Sequence, residues 1–208
     1  MAVPCNVTGL NRQATGQAIV MTSRSGSISR RGLLGAFAAT MITAAPTYSN
    51  AAGFLRGGGD IRRVKMYSGR TGERIDMIYW VEGKYIKDAV TEVYRFMRDW
   101  RTNQVKVIDL RTVDIMAATQ NMLDTPEPYT LISGYRSPQT NAMLRARGSG
   151  VAKNSRHLRG EAADLQMRSR SVNQMARAAA ACRAGGVGRY TGSNFIHVDC
   201  GPVRSWGR

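Results

Sequence analysis

Histidine is nearly absent from this chain: two occur in 208 residues, His157 and His197. Cysteine is almost as scarce, with Cys5, Cys182 and Cys200, and none is placed for lipid attachment. Acidic residues are few, 14 against 30 basic ones, which leaves a net charge of +16. No uncharged apolar run reaches the roughly 20 residues that a membrane-spanning helix needs. Internal repeats, coiled-coil heptads and long low-complexity tracts are also missing, which excludes solenoid and fibrous architectures.

The scarce acids and abundant arginines give a basic surface that favours anionic partners. No nucleic-acid-binding motif accompanies the charge, so a nucleic-acid binder is the least supported class. An anionic cell wall or membrane fits better if the chain is exported. Ser29-Arg30-Arg31-Gly32-Leu33-Leu34 has the pattern of a twin-arginine export signal. The uncharged apolar stretch from Gly32 to Ala45 spans 14 residues, the length of a signal core rather than a membrane span. Ser49-Asn50-Ala51 fits a small-x-small cleavage site. Residues 1–51 are therefore expected to be a removable signal, although Met21 would make a more compact start. They carry four arginines and no acid, so the remainder keeps twelve of the sixteen net positive charges. Residues 52–59, with Gly57-Gly58-Gly59, read as a flexible lead-in, and 60–208 as one compact domain. No stable membrane insertion is expected after cleavage.

Within that domain, strands are expected over Ile61–Met66, Arg74–Tyr85 (with a turn at Glu82-Gly83), Tyr129–Ile132, Gly160–Met167 and Asn194–Val198. Helical spacing covers Asp88–Trp100, Val113–Leu123 and Pro138–Arg147, and Ser171 can cap a helix running to about Ala184. Interspersed helices and short strands favour an α+β fold. In an oxidising compartment Cys182 and Cys200 could form a disulfide, worth roughly 3 kcal/mol for a loop of about 15 residues.

Both histidines sit beside acids. The first lies in Ser155-Arg156-His157-Leu158-Arg159-Gly160-Glu161-Ala162-Ala163-Asp164-Leu165, the second in Phe195-Ile196-His197-Val198-Asp199. Gly160 allows the turn that would bring His157 and Asp164 to one point. Alternation along a strand makes His197 and Asp199 share a face. Two imidazoles and one carboxylate with a fourth position left for water are the layout of a catalytic zinc. Spacing alone leaves ordinary core or surface histidines as an equal alternative.

Three separated motifs carry a family resemblance: Ser133-Gly134-Tyr135-Arg136-Ser137, then Ser155 to Leu165, then Phe195 to Asp199 followed by Gly201, Arg204 and Trp206. Together they resemble the zinc D-Ala-D-Ala carboxypeptidase and murein endopeptidase superfamily. The branch they are most similar to is that of twin-arginine-exported proteins like murein endopeptidase K. The likeness spans residues 130–206, whereas 52–129 carry no comparable signature.

The resemblance implies a hedgehog/DD-peptidase-like fold, α+β with a small antiparallel sheet flanked by helices. It implies Zn²⁺ held by His157, Asp164 and His197, and peptidoglycan stem peptides and cross-links as partners. It also implies that Arg136 holds the scissile carbonyl oxygen or a nearby carboxylate, with Ser155 and Gln139 shaping the site. Relatives carry a carboxylate three residues before the last zinc histidine, or a histidine two before. Here those positions are Asn194 and Phe195, neither of which can accept the proton. Asp199 is then the candidate catalytic base, with orientation of the His197 ring as its equal alternative; Glu161 is a poorer candidate. The expected function is cross-link cleavage in the periplasm or cell envelope. The alternatives are a carboxypeptidase and a zinc-bearing wall-binding protein without catalysis.

Overall fold

The computed structural model describes residues 55, 58–148 and 150–207, all within one unit spanning Tyr48–Arg208. The proposed export signal, and most of the proposed lead-in, fall outside the described residues.

The chain alternates strands and helices: β1 (Ile61–Tyr67), β2 (Arg74–Val81), β3 (Lys84–Tyr85), α1 (Lys87–Phe96), α2 (Leu110–Leu123), β4 (Tyr129–Ser133), α3 (Pro138–Ala146), β5 (Ala162–Gln166), α4 (Val172–Ala181), β6 (Gly186–Tyr190), β7 (Phe195–Asp199) and β8 (Arg204–Gly207). The α+β class is as expected, but the sheet is neither small nor purely antiparallel. It has eight strands in the order β3-β2-β1-β4-β5-β7-β6-β8. Two of its pairings, β1 with β4 and β6 with β8, are parallel. Each parallel pair is joined by intervening structure long enough for a crossover, a link that antiparallel hairpins do not need.

Local sequence explains most of the helix ends. Ser171 forms a capping box with Gln174 at the start of α4. Asp109 caps α2 by accepting from the Arg111 N–H, and Ser137 caps α3 with Pro138 in the first turn. Helix α1 stops at Phe96, short of the expected Trp100. Beyond it the backbone is used elsewhere: the Met97 carbonyl accepts from the Tyr135 N–H at 2.7 Å, and the Asp99 N–H donates to Gln104 O at 3.0 Å.

Helix α1 packs on β2, α2 on β1 and β7, and α4 on β6 and β7. The core between them holds Val64, Met66, Tyr79, Met116, Leu165, Ile196 and Val198. Because Ile196 and Val198 point into this core, His197 and Asp199 point to the other face of β7. The same alternation puts Ala163 and Leu165 inside and Asp164 on the His197 face.

Candidate metal centre

One row of residues crosses five strands and builds the site. Trp206 pairs with Gly188, Gly188 with His197, His197 with Asp164, and Asp164 with Ser133. Neighbours in such a row share a face at close spacing. Three residues after Ser133 the chain presents Arg136, and a 3₁₀ turn over Arg156–Arg159 brings in His157.

The turn is shaped by two local features. The Ser155 hydroxyl accepts the His157 N–H at 3.3 Å. Gly160 ends the turn at φ +73°, where an added Cβ would lie 2.5 Å from the Val107 carbonyl oxygen. A positive φ and no room for a side chain both demand glycine.

His157, Asp164 and His197 offer one ligand atom each, all within 4.8 Å of one another. His157 Nε2 lies 3.2 Å from His197 Nδ1, His197 Nδ1 lies 2.9 Å from Asp164 Oδ1, and His157 Nε2 lies 3.3 Å from Asp164 Oδ1. Ligands at 2.0–2.1 Å around a tetrahedral zinc are separated by about 3.3 Å, so the triangle has nearly the right edges.

The outer ring nitrogens fix what the inner ones can do. His157 Nδ1 is 2.7 Å from the Gly134 carbonyl, which can only accept, so the proton sits on Nδ1 and Nε2 presents a lone pair. His197 lies between two carboxylates, with Nε2 3.2 Å from Asp199 Oδ2 and Nδ1 2.9 Å from Asp164 Oδ1; a proton held on Nε2 by Asp199 leaves Nδ1 free to ligate. Two imidazole nitrogens and a carboxylate oxygen therefore converge on one point, a donor set that fits a cation once it displaces any proton held there. His157 is 2 % exposed and Asp164 7 %, so water cannot screen this convergence of acceptors. Burial works against a charged His197, yet its hydrogen bonds and attraction to Asp164 and Asp199 outweigh that and push its pKa up to about 9. Burial would raise the Asp164 pKa, but the two imidazoles hold it well below the usual carboxylate range.

Arg136 is 7 % exposed and reaches the triad from the turn that follows β4. Its Nη2 lies 3.5 Å from Asp164 Oδ2 and donates to Ser133 Oγ at 3.4 Å. Its Nε is buried without a partner. Burial lowers its pKa, against the attraction of Asp164 and Asp99.

Asp199 is fully buried on the far side of the His197 ring from the convergence point. Its oxygens accept from the Gly201 N–H at 2.8 Å, from Arg204 Nη2 at 2.7 Å and Nη1 at 3.2 Å, and face Arg156 Nε at 3.3 Å. Burial opposes its ionisation, but His197, Gly201 and Arg204 hold its pKa low. Glu161 is spent on Arg156 at 2.7 Å and Arg159 at 2.9 Å. Asn194 is exposed in the left-handed region, and the Phe195 ring stacks on Tyr190 at 4.6 Å.

Sequence reasoning gave no role to Arg156, Arg204, Trp206 or Gly188. Arg204 and Trp206 lie in the third motif, so a signal was present for them. The Trp206 ring stands 5.4 Å from the His197 ring and donates its N–H to the Tyr190 hydroxyl at 2.9 Å. Gly188 makes room for it: a Cβ there would lie 2.8 Å from the indole. Cys182 and Cys200 are both buried and unbonded, so the expected bridge is not formed. They sit in separate polar pockets instead, Cys182 against Thr119 at 3.6 Å and Cys200 beside Thr112 and Asp109.

Two imidazoles and a carboxylate on one face of a sheet, with a buried arginine beside them, make a candidate metal centre on an α+β domain, the layout of a hydrolase site. The family described as Peptidoglycan L,D-endopeptidase MepK matches residues 56–206, and the chain belongs to it. The Peptidoglycan L,D-endopeptidase MepK of Escherichia coli (strain K12) is 43% identical over 136 residues, covering 65% of this chain and 75% of the relative. The same identity and coverage hold for the Shigella flexneri protein of that name. The Probable peptidoglycan L,D-endopeptidase MepK of Haemophilus influenzae is 39% identical over 137 residues, covering 65% of this chain and 74% of the relative. The chain is thus an enzyme of the peptidoglycan endopeptidase type, and its family membership implies work at the cell envelope.

Proposed function

We propose that the protein is a zinc-dependent endopeptidase that cuts L,D amide bonds in peptidoglycan cross-links, after export by the twin-arginine route to the periplasm. The observation that carries the zinc assignment is the convergence of His157 Nε2, His197 Nδ1 and Asp164 Oδ1 within ligand distance of one point. The choice of an L,D bond rests on the names of the relatives.

His157, Asp164 and His197 would hold the metal, which when bound supplies Lewis acidity and a water of lowered pKa. The chain's own residues do the rest. Arg136, buried and always charged, supplies a planar fork of donors for the oxyanion that forms as the amide is attacked. Its free Nε adds a donor with no competing partner. Gly134 fixes the His157 tautomer through its carbonyl. Asp199 acts as an orienting carboxylate for His197, not as the base, because it faces the wrong ring nitrogen and is already shared between two arginines. The Trp206 indole walls the His197 side of the site and limits water there.

Muropeptides carrying either an L,D or a D,D cross-link, digested separately and read by mass spectrometry, test the assignment. Cleavage of the L,D substrate alone is expected, and His157→Ala should lose both bound zinc and product. Undiminished hydrolysis by that variant would sink the mechanism.

A further inference from the structure

We propose that Asp99 is a positioning residue of the metal centre: its buried carboxylate anchors the turn Gly134–Ser137, which aims Arg136 and sets the His157 ring. The inference rests on the hydrolase reading above but names a residue outside the three motifs that carry the family likeness.

Asp99 is 1 % exposed, although it lies in the irregular segment after α1. A buried carboxylate is costly unless its oxygens are fully used. Here Oδ2 accepts the Ser137 N–H at 2.8 Å and Oδ1 the Arg101 N–H at 3.0 Å. The Ser137 and Thr140 hydroxyls also bond to it. Burial would raise its pKa, but these donors win and lower it. The carboxylate thus stays ionised and ties the first turn of α3 to the 97–104 segment.

A second bond joins the two stretches, which also approach too closely there for a side chain. The Tyr135 N–H donates to the Met97 carbonyl at 2.7 Å, and a Cβ on Gly134 would overlap the same carbonyl. The turn held in this way has two outputs. The Gly134 carbonyl accepts from His157 Nδ1 at 2.7 Å and so directs Nε2 to the metal. The Arg136 N–H donates to the His157 carbonyl at 3.1 Å, and the Arg136 guanidinium feels the Asp99 charge as well as that of Asp164. The anchoring carboxylate therefore stands behind both the ligand and the cation. Replacing it with an amide keeps the volume but turns one acceptor oxygen into a donor facing backbone N–H groups.

The test compares Asp99→Asn with the wild type by three readouts. In metal-free protein, hydrogen exchange at the Tyr135, Arg136 and Ser137 amides is expected to speed up at least about tenfold, while β5 and β7 amides keep their rates. In zinc-loaded protein, kcat is expected to fall about 10- to 100-fold with KM changed less than about threefold, the scale seen when support behind a metal ligand is removed. In an Arg136→Ala background the same substitution should cost kcat clearly less than in the wild type, because the Arg136 output is already gone and only the His157 output remains. Unchanged exchange at 135–137, a uniform rise across the domain, or a full additional loss in the Arg136→Ala background would each overturn the proposal. If the wild type cleaves nothing, the hydrolase reading fails, and the exchange readout still decides on Asp99. Should Asp99→Asn not fold, Thr140→Val removes one donor to the same carboxylate and is expected to move the same amides by a smaller factor.

Discussion

Replacing Asp199 with asparagine separates the two roles that the sequence left open for it. The carboxylate meets His197 Nε2 at 3.2 Å, while the metal-facing nitrogen is Nδ1. An orienting carboxylate behind a metal-bound imidazole contributes about 10- to 100-fold in metal affinity, or about 1.4–2.7 kcal/mol. The variant also leaves Arg204 and Arg156 without their shared anion. Breaking a fully buried ion pair costs about 3–5 kcal/mol, but the Arg204 side chain is 43% exposed and that of Arg156 26%, so both guanidiniums can rehydrate. A stability loss of about 1–2 kcal/mol is therefore expected, with the Gly201 N–H still able to find the amide oxygen. Zinc affinity should be measured by competition with a chromophoric chelator, and kcat at saturating zinc. The account predicts zinc binding weakened 10- to 100-fold and kcat, once zinc is saturating, reduced less than about tenfold. A zinc affinity unchanged within twofold, together with a kcat reduced a thousandfold or more, would refute it and restore Asp199 as the base.

Gly188→Ala places a methyl 2.8 Å from the Trp206 ring and should push the indole off His197, destabilising the fold by about 1–3 kcal/mol; a chemical-denaturation midpoint equal to the wild type contradicts this. Both thiols should be free: alkylation of the unfolded, unreduced domain should add two adducts at Cys182 and Cys200, whereas native protein, with both buried, should add few. A disulfide in the intact mass would contradict the packing described. The Asp99 and Glu127 carboxylates are held below their ordinary values by backbone and hydroxyl donors. Their stabilisation is present above the unfolded-state value near 4 and is lost as pH falls through the lower folded-state values. Denaturation midpoints should thus drop steeply below about pH 4, and less steeply in Asp99→Asn; parallel curves for the two proteins would count against an ionised Asp99.

The site was more legible than the sheet that carries it. His157, Asp164, His197 and Arg136 all lie within three short motifs, and period-two alternation already put His197 and Asp199 on one face. The row Trp206, Gly188, His197, Asp164 and Ser133 was not readable, because it depends on the order of five strands. Strand β6 went unrecognised: Gly186 and Gly188 break its β-propensity, yet they admit Arg204 and Trp206 over the sheet. Strand β8, four residues long and parallel to β6, offers almost no pattern of its own. Asp99 reads in sequence as the end of an amphipathic helix. Only the tertiary demand of Tyr135 for the Met97 carbonyl ends that helix early and buries the carboxylate. The two cysteines were misjudged for a similar reason: an oxidising compartment permits a bridge but says nothing about which polar groups surround each thiol.

The most direct test of the central claim is the release of cleaved peptides from an L,D-cross-linked muropeptide by the purified domain, followed by mass spectrometry with chelator and then with zinc restored. The account predicts cleavage at the L,D bond that stops on chelation and returns with zinc. Cleavage that persists without metal, or zinc-loaded protein that holds the muropeptide intact, would contradict it.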